Sequence, residues 1–253
     1  LHPGGGAIPG LGAVIRPLGS SKDEMAVEKA AFLRINMASN TTTKDAIRQA
    51  FDAARKGIEG EKRTPPAKPD ERTQALMRAY KGELPVLVWV GGPGDLLHFW
   101  QVADAFADAK AKVSFVATSE IYKAAELMGT RKARLLLRPD LTFLPSTRDR
   151  VNPAAELARA GALVGLAPSS DGPEALEALL FRAAELVKHG LPREAALRAV
   201  TLVPAEMLGL EKRLGSIEAG KDADLLLFDG DPLAVSSKLR RVFIAGREAW
   251  SGE

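Results

Sequence analysis

The 253-residue chain has no cysteine and only three histidines, His2, His98 and His189. The first absence rules out a thiolate metal site and a disulfide framework. The second leaves few imidazoles for a zinc or iron centre. Long apolar runs are also missing: the most hydrophobic stretch, Leu84 to Val90, is strand-sized, far short of the roughly 18 to 20 residues that cross a bilayer. Charge is nearly balanced, with 35 basic against 32 acidic residues interspersed along the chain. Without a basic stripe there is no case for nucleic acid. The start, Leu1-His2-Pro3, has neither an initiator methionine nor a secretory signal, so upstream sequence is expected to have been removed or to sit elsewhere. The compartment stays open, since a chain without cysteine suits either the cytoplasm or the periplasm.

What is present is an ordinary globular composition, with 46% hydrophobic and 26% charged residues. From about residue 85 short aliphatic runs alternate with amphipathic stretches, the rhythm of βα units around a parallel sheet. The runs are 85–90, 112–116, 133–137 and 162–166, and their continuous apolar character predicts strands covered on both faces. Helices are predicted over 95–109, over 119–128 with Ser119 as N-cap, and after Asn152-Pro153. One long helix is then expected from Pro173 to His189, ended by Gly190, with further helices over 192–201 and 204–208 closed by Gly209. Beyond residue 210 the pattern turns to strand, over 223–228 and 241–245, with Gly246 at a hairpin-like position.

The first third reads differently. A glycine-rich opening (Gly4, Gly5, Gly6, Gly10, Gly12) suggests a turn or a loop at the mouth of the fold, leading into a strand over 13–16. It fails as a dinucleotide-binding signature, because no strand precedes it and no helix follows directly. Helices are predicted over 23–36, 44–59 and 70–81, with a charged, proline-containing surface loop over 60–68.

Three ordered segments carry a family resemblance: Ala195-Ala-Leu-Arg-Ala-Val-Thr201, Pro204-Ala-Glu-Met-Leu-Gly209 and Gly215-Ser-Ile-Glu-Ala-Gly-Lys-Asp-Ala-Asp-Leu-Leu-Leu227. Together they resemble the C-terminal signature of the amidohydrolase superfamily, and in particular its imidazolonepropionase-like and prolidase-like metal-dependent hydrolases. Stretches at 25–40, 95–106, 120–123, 158–161 and 170–171 fall in the matching order, so the likeness runs through nearly the whole chain. It implies an α/β fold: a (β/α)8 TIM-type barrel, incomplete at its N-terminus, over residues 1–209, and half of a composite β-sandwich over 210–253. In the family a preceding segment supplies the first barrel strand, a His-x-His pair and the rest of the sandwich. The implied partner is therefore that segment or another amidohydrolase-like chain, in an oligomer, since open strand edges favour association.

The resemblance also implies one or two divalent ions that polarise a carbonyl and activate water, with a carboxylate taking the proton. Its ligands would be the early histidine pair, a carboxylated lysine or an acid, one histidine after each of two middle strands, and a last-strand aspartate. At the matching positions stand Arg34 for the lysine, Trp89 or Gly91 for the first histidine and Ala117 for the second; only Asp171 keeps the family's chemistry. Each has a plainer reading. Trp89 is core or pocket filling, or else an aromatic ligand platform. Asp171 is a helix cap or structural acid, or else a site residue. His98 and His189 read as structural, and His2 lies near the chain start. Gly91-Gly92-Pro93-Gly94 follows a strand and precedes a helix, a geometry suited to anions, but Pro93 removes one donor.

The leading expectation is a metal-free, catalytically degenerate amidohydrolase-like protein acting as a structural partner or ligand-binding subunit, with Trp89, Gly91, Ala117 and Arg34 around its pocket. The alternative is a zinc- or other metal-dependent hydrolase of non-peptide or dipeptide C–N bonds. In that case the missing ligands come from an upstream segment or partner chain, with Asp171 as general base. A small apolar or aromatic ligand bound beside Trp89 without turnover is the third.

Overall fold

A strand takes up the later part of the glycine-rich opening, while Gly5 and Gly6 stand in bends at positive φ. In the computed structural model, which describes residues 5–63, 68–170 and 172–252, strand β1 (Gly10–Ile15) includes Gly10 and Gly12. A single helical turn, α1 (Lys22–Met25), leads into β2 (Ala26–Asn36), which pairs antiparallel with β1. The helix expected over 23–36 is thus mostly a strand. Alanine, glutamate, lysine, leucine and arginine give this segment helical propensity, but sheet pairing on both of its edges prevails.

Two helices follow, α2 (Thr41–Glu61), capped by Asn40, and α3 (Glu71–Tyr80), capped by Asp70. Both caps accept the N–H three residues on, from Thr43 and Thr73, at 2.8 and 2.7 Å. Strand β3 (Val86–Val90), helix α4 (Pro93–Ala103) with a 3-10 turn at its end, and β4 (Val113–Ala117) complete the first of two compact units, Leu1–Thr118. Strands β2, β3 and β4 are parallel and in regular register.

Alternation along these strands sorts the unit into two faces. Leu33, Ile35, Val86, Val88, Val90 and Phe115 are buried. Leu33, Ile35 and Val86 meet Ala50 and Ala54 of α2 and Leu76 and Ala79 of α3, while Phe115 packs edge-on against Phe99 and Trp100 of α4. Each large side chain buried there contributes about 1.5–3 kcal/mol. The other face carries Phe32, Arg34 and Asn36 of β2 beside Leu87 and Trp89 of β3 and Ser114 and Val116 of β4.

The second unit, Ser119–Glu253, opens with a 3-10 turn and α5 (Ala125–Thr130). Strand β5 (Arg134–Leu137) runs into a short hairpin, β6 (Thr142–Phe143) and β7 (Arg150–Val151). Helix α6 (Pro153–Arg159) then leads to β8 (Leu163–Leu166), parallel to β5. The stretch expected as one helix from Pro173 to His189 is two, α7 (Pro173–Glu177) and α8 (Leu179–Lys188), separated at Ala178. Gly190 does adopt the left-handed conformation after α8, with φ +97. Helices α9 (Arg193–Val200) and α10 (Leu202–Met207) pack on β8. The end of the chain is a three-stranded antiparallel sheet, β9 (Leu225–Phe228), β10 (Leu239–Ile244) and β11 (Arg247–Ser251), whose last turn places Ala245 and Gly246 at positive φ.

Asn152 fastens the helices of this unit. It is 5% exposed; its Oδ1 caps α6 by accepting the Ala155 N–H at 3.1 Å, and its Nδ2 donates to the carbonyls of Leu186 (2.8 Å) and His189 (3.2 Å). Asn152→Ala leaves two carbonyls at the end of α8 without this donor and should cost about 2–4 kcal/mol, read from urea unfolding of the two proteins. A second tie joins α9 to the small sheet. Arg193 donates from Nη2 and Nε to the two oxygens of Asp231 at 2.6 and 3.1 Å.

The Arg193 hydrogen bonds, with the Leu233 N–H, hold the Asp231 carboxyl below its ordinary value. A folded-state pKa depressed in this way adds stability above the unfolded-state value. That stability is lost as pH falls through the folded-state value. The tie should therefore weaken below about pH 4, and Asp231→Asn should flatten the acid limb of a stability-against-pH curve.

Candidate functional site

The face away from α2, α3 and α4 brings together two of the side chains singled out from sequence. Arg34 lies on β2 and Trp89 on β3, with the guanidinium carbon 4.1 Å from the indole centroid. This is a cation–π stack. Phe32, two residues before Arg34, stacks on Trp89 with centroids 6.3 Å apart and planes inclined by 28°. Asn36, two residues after, accepts from Arg34 Nε at 2.9 Å and donates through Nδ2 to the Gly6 carbonyl at 2.7 Å. Burial lowers the Arg34 pKa from its ordinary value, yet a guanidinium remains protonated throughout the physiological range.

Gly12 makes the stack possible. It sits opposite Phe32 across the β1–β2 pair, and a Cβ added to Gly12 would fall 2.1 Å from the tip of the Phe32 ring. The aromatic ring therefore lies on bare backbone, held toward Trp89.

The loops at the C-terminal ends of β2 and β3 are tied through Asp95 on α4. Its Oδ1 accepts from the Ser39 hydroxyl at 2.5 Å and its Oδ2 from the Gly91 N–H at 2.9 Å. The Gly91 carbonyl accepts from Thr118 Oγ1 at 2.9 Å, and Met37 N–H donates to the Trp89 carbonyl at 2.8 Å. Gly91 is thus a junction in a loop network, and its N–H already serves an anion of the chain's own, the Asp95 carboxylate.

Ala117 stands apart from this group. It ends β4 in register with Val90, whose side chain belongs to the helix-covered face, whereas the β4 residue in register with Trp89 is Val116. Asp171 and His2 lie outside the described residues. His98 and His189 are elsewhere: the first is paired on α4 with Gln101, and the second is at the end of α8, its Nδ1 beside the Glu185 carbonyl. Phe32, Asn36, Ser39 and Asp95 were not singled out from the sequence. The Arg34-x-Asn36 spacing was the available signal, and it has meaning only once the segment is known to be a strand.

Chemically, this face presents a guanidinium, a carboxamide, an indole, a buried hydroxyl (Ser114) and hydrocarbon. None of these is a usual ligand for a catalytic divalent ion. Among the described residues no group of three histidine, cysteine, aspartate or glutamate side chains is placed to hold a metal. A divalent ion about 5 Å from Arg34 would also meet a repulsion of roughly 7 kcal/mol at an effective dielectric constant near 20. These residues do not fit a metal centre.

The amidohydrolase family profile matches residues 28–249. The chain belongs to the amidohydrolase family. Among solved structures it is similar to an amidohydrolase from Thermotoga maritima, with 26% identity and a TM-score of 0.80, over 97% of this chain and 69% of that one. It is also similar to amidohydrolase tasK of Hapsidospora irregularis, 46% identical over 68 residues, which is 27% of this chain and 7% of that protein. Imidazolonepropionase of Shouchella clausii is 34% identical over 131 residues, 49% of this chain and 28% of that protein. The aligned regions thus span only small shares of these two curated relatives.

The α/β architecture with a parallel sheet and packed helices agrees with the amidohydrolase fold. No helix among the described residues is long and apolar enough to cross a membrane. The packing of Phe32 on Trp89 can be tested directly. Gly12→Ala forces Phe32 off the strand, and it should destabilise the protein by about 1–3 kcal/mol and shift tryptophan emission, measured by chemical unfolding followed at the indole.

Proposed function

We propose that this amidohydrolase-family chain carries out no metal-dependent hydrolysis at the ends of β2, β3 and β4, and that it works as a structural or ligand-binding subunit of a (β/α)8 barrel assembly. One observation carries the reading: where hydrolytic chemistry needs imidazole or carboxylate ligands, these strand ends present Arg34 stacked on Trp89, Asn36 and Val116. The local carboxylate, Asp95, has each oxygen engaged in loop closure.

The barrel and the partner belong to the same proposal. Strand β8 pairs with β5 alone among the described residues, and an open strand edge invites a further strand. The small C-terminal sheet and the α7–α8 segment border an apolar cavity of about 670 Å³, with Leu176, Phe181, Leu226 and Val235 on its walls. Each of these four is more than half exposed, and contiguous apolar surface of this kind marks association in a folded protein. An upstream segment or a second amidohydrolase-like chain suits both features, within an oligomer.

The alternative is a metal-dependent hydrolase of C–N bonds whose remaining ligands come from another segment or chain. It draws on the long C-terminal match and on Asp171, the acid that the resemblance assigns to the last strand. Metal analysis of the purified assembly separates the two. The metal-free reading expects well under one equivalent of zinc or similar ion and no change on Asp171→Asn. About one or two equivalents, lost in that variant together with hydrolysis of an N-acyl or dipeptide substrate, would falsify it.

A further inference from the structure

Across Phe32–Asn36, Leu87–Trp89 and Ser114–Val116, the side chains on the face away from the helices are two aromatic rings, a leucine, a valine, a serine, an asparagine and a single charged group, Arg34. Among the described residues, three neighbours help to fix that charge. Trp89 lies under the guanidinium at 4.1 Å, Asn36 accepts from Nε at 2.9 Å, and Phe32 braces the indole from the preceding register position. Asn36 is in turn anchored twice to the stretch before β1, through Nδ2 to the Gly6 carbonyl and through its N–H to the Ala7 carbonyl, at 2.7 and 2.8 Å. A long, flexible cation held this closely has given up most of its rotamer freedom. Such an arrangement belongs to a charge with a fixed task more than to a solvated surface arginine.

We propose that Arg34 is a resident cation: from β2 it supplies the fixed positive charge that a bound ion supplies in a metal-dependent hydrolase, and it holds this face of the sheet in shape with no ion present. The proposal rests on the metal-free reading and deepens it. That reading says the residues do not form a metal site; this one says that a protein group has taken over the metal's electrostatic and cross-linking role. Two properties of the guanidinium suit it to that role. It keeps its charge when partly desolvated, and its plane stacks on an aromatic face while its edge donates hydrogen bonds. Lysine shares the charge without the plane, and methionine approximates the length without the charge.

Thermal unfolding of the full chain, of Arg34→Lys and of Arg34→Met, each in millimolar EDTA and in millimolar zinc chloride, tests the idea. A wild type indifferent to both additives is expected. Arg34→Met should unfold roughly 4–8 °C lower, and Arg34→Lys should recover a good part of that loss. A methionine variant that fails to fold where the lysine variant folds is the same result in its extreme form. Equal losses in the two variants, including failure of both, or no loss in either, overturn the resident cation while leaving the metal-free reading in place. Stabilisation of the wild type by zinc overturns both.

Discussion

The two-residue period of β2, β3 and β4 is the constraint on which the first unit depends. Because alternate side chains point to opposite sides of a sheet, one register gives all six of Leu33, Ile35, Val86, Val88, Val90 and Phe115 to the helices. The same register collects Phe32, Arg34, Asn36 and Trp89 on the other side. A slip of one residue in β2 would drive a guanidinium into a hydrocarbon layer and lift two large aliphatic side chains out of it. The packing that stabilises the fold and the placement of the Arg34–Trp89 stack are therefore one decision made twice.

Glycine enters that decision at a single place. The strand opposite Phe32 must be bare for the ring to lie flat, and Gly12 provides this by lacking the Cβ that would meet the ring. Further along the chain the tasks change but the economy is similar. One buried asparagine caps a helix and holds the end of another. One arginine–aspartate pair ties a helix to the small sheet. The asparagine is buried with its carboxamide oxygen and nitrogen both engaged, which is the condition for burying it at little net cost, while the arginine–aspartate pair stays half exposed.

Family membership and site chemistry are written in different parts of a chain. The amidohydrolase profile runs through most of the chain, because a scaffold is recognised by its strand runs, helix punctuation and turn glycines. Catalysis depends on a few donors at strand ends, and those positions are free to change without disturbing the packing beneath them. Arg34 and Trp89 make the point: they sit where β2, β3 and β4 pair in regular parallel register, and their chemistry is that of a stacked cation.

The sequence alone determined the strands β3, β4, β5 and β8, since continuous aliphatic runs bounded by turn residues leave little else for them to be. It likewise determined the Asn152 cap and the left-handed glycines after α8 and α10, which follow from local backbone needs. Tertiary structure alone decided that 26–36 is a strand, because its residues favour a helix until β1 and β3 offer edges to pair with. It also decided that Val116 and not Ala117 stands beside Trp89, and that Asn36, Ser39 and Asp95 frame the site. Those are facts of register and of loop closure between distant segments, and a local pattern of residues carries no information about which neighbour a strand will find.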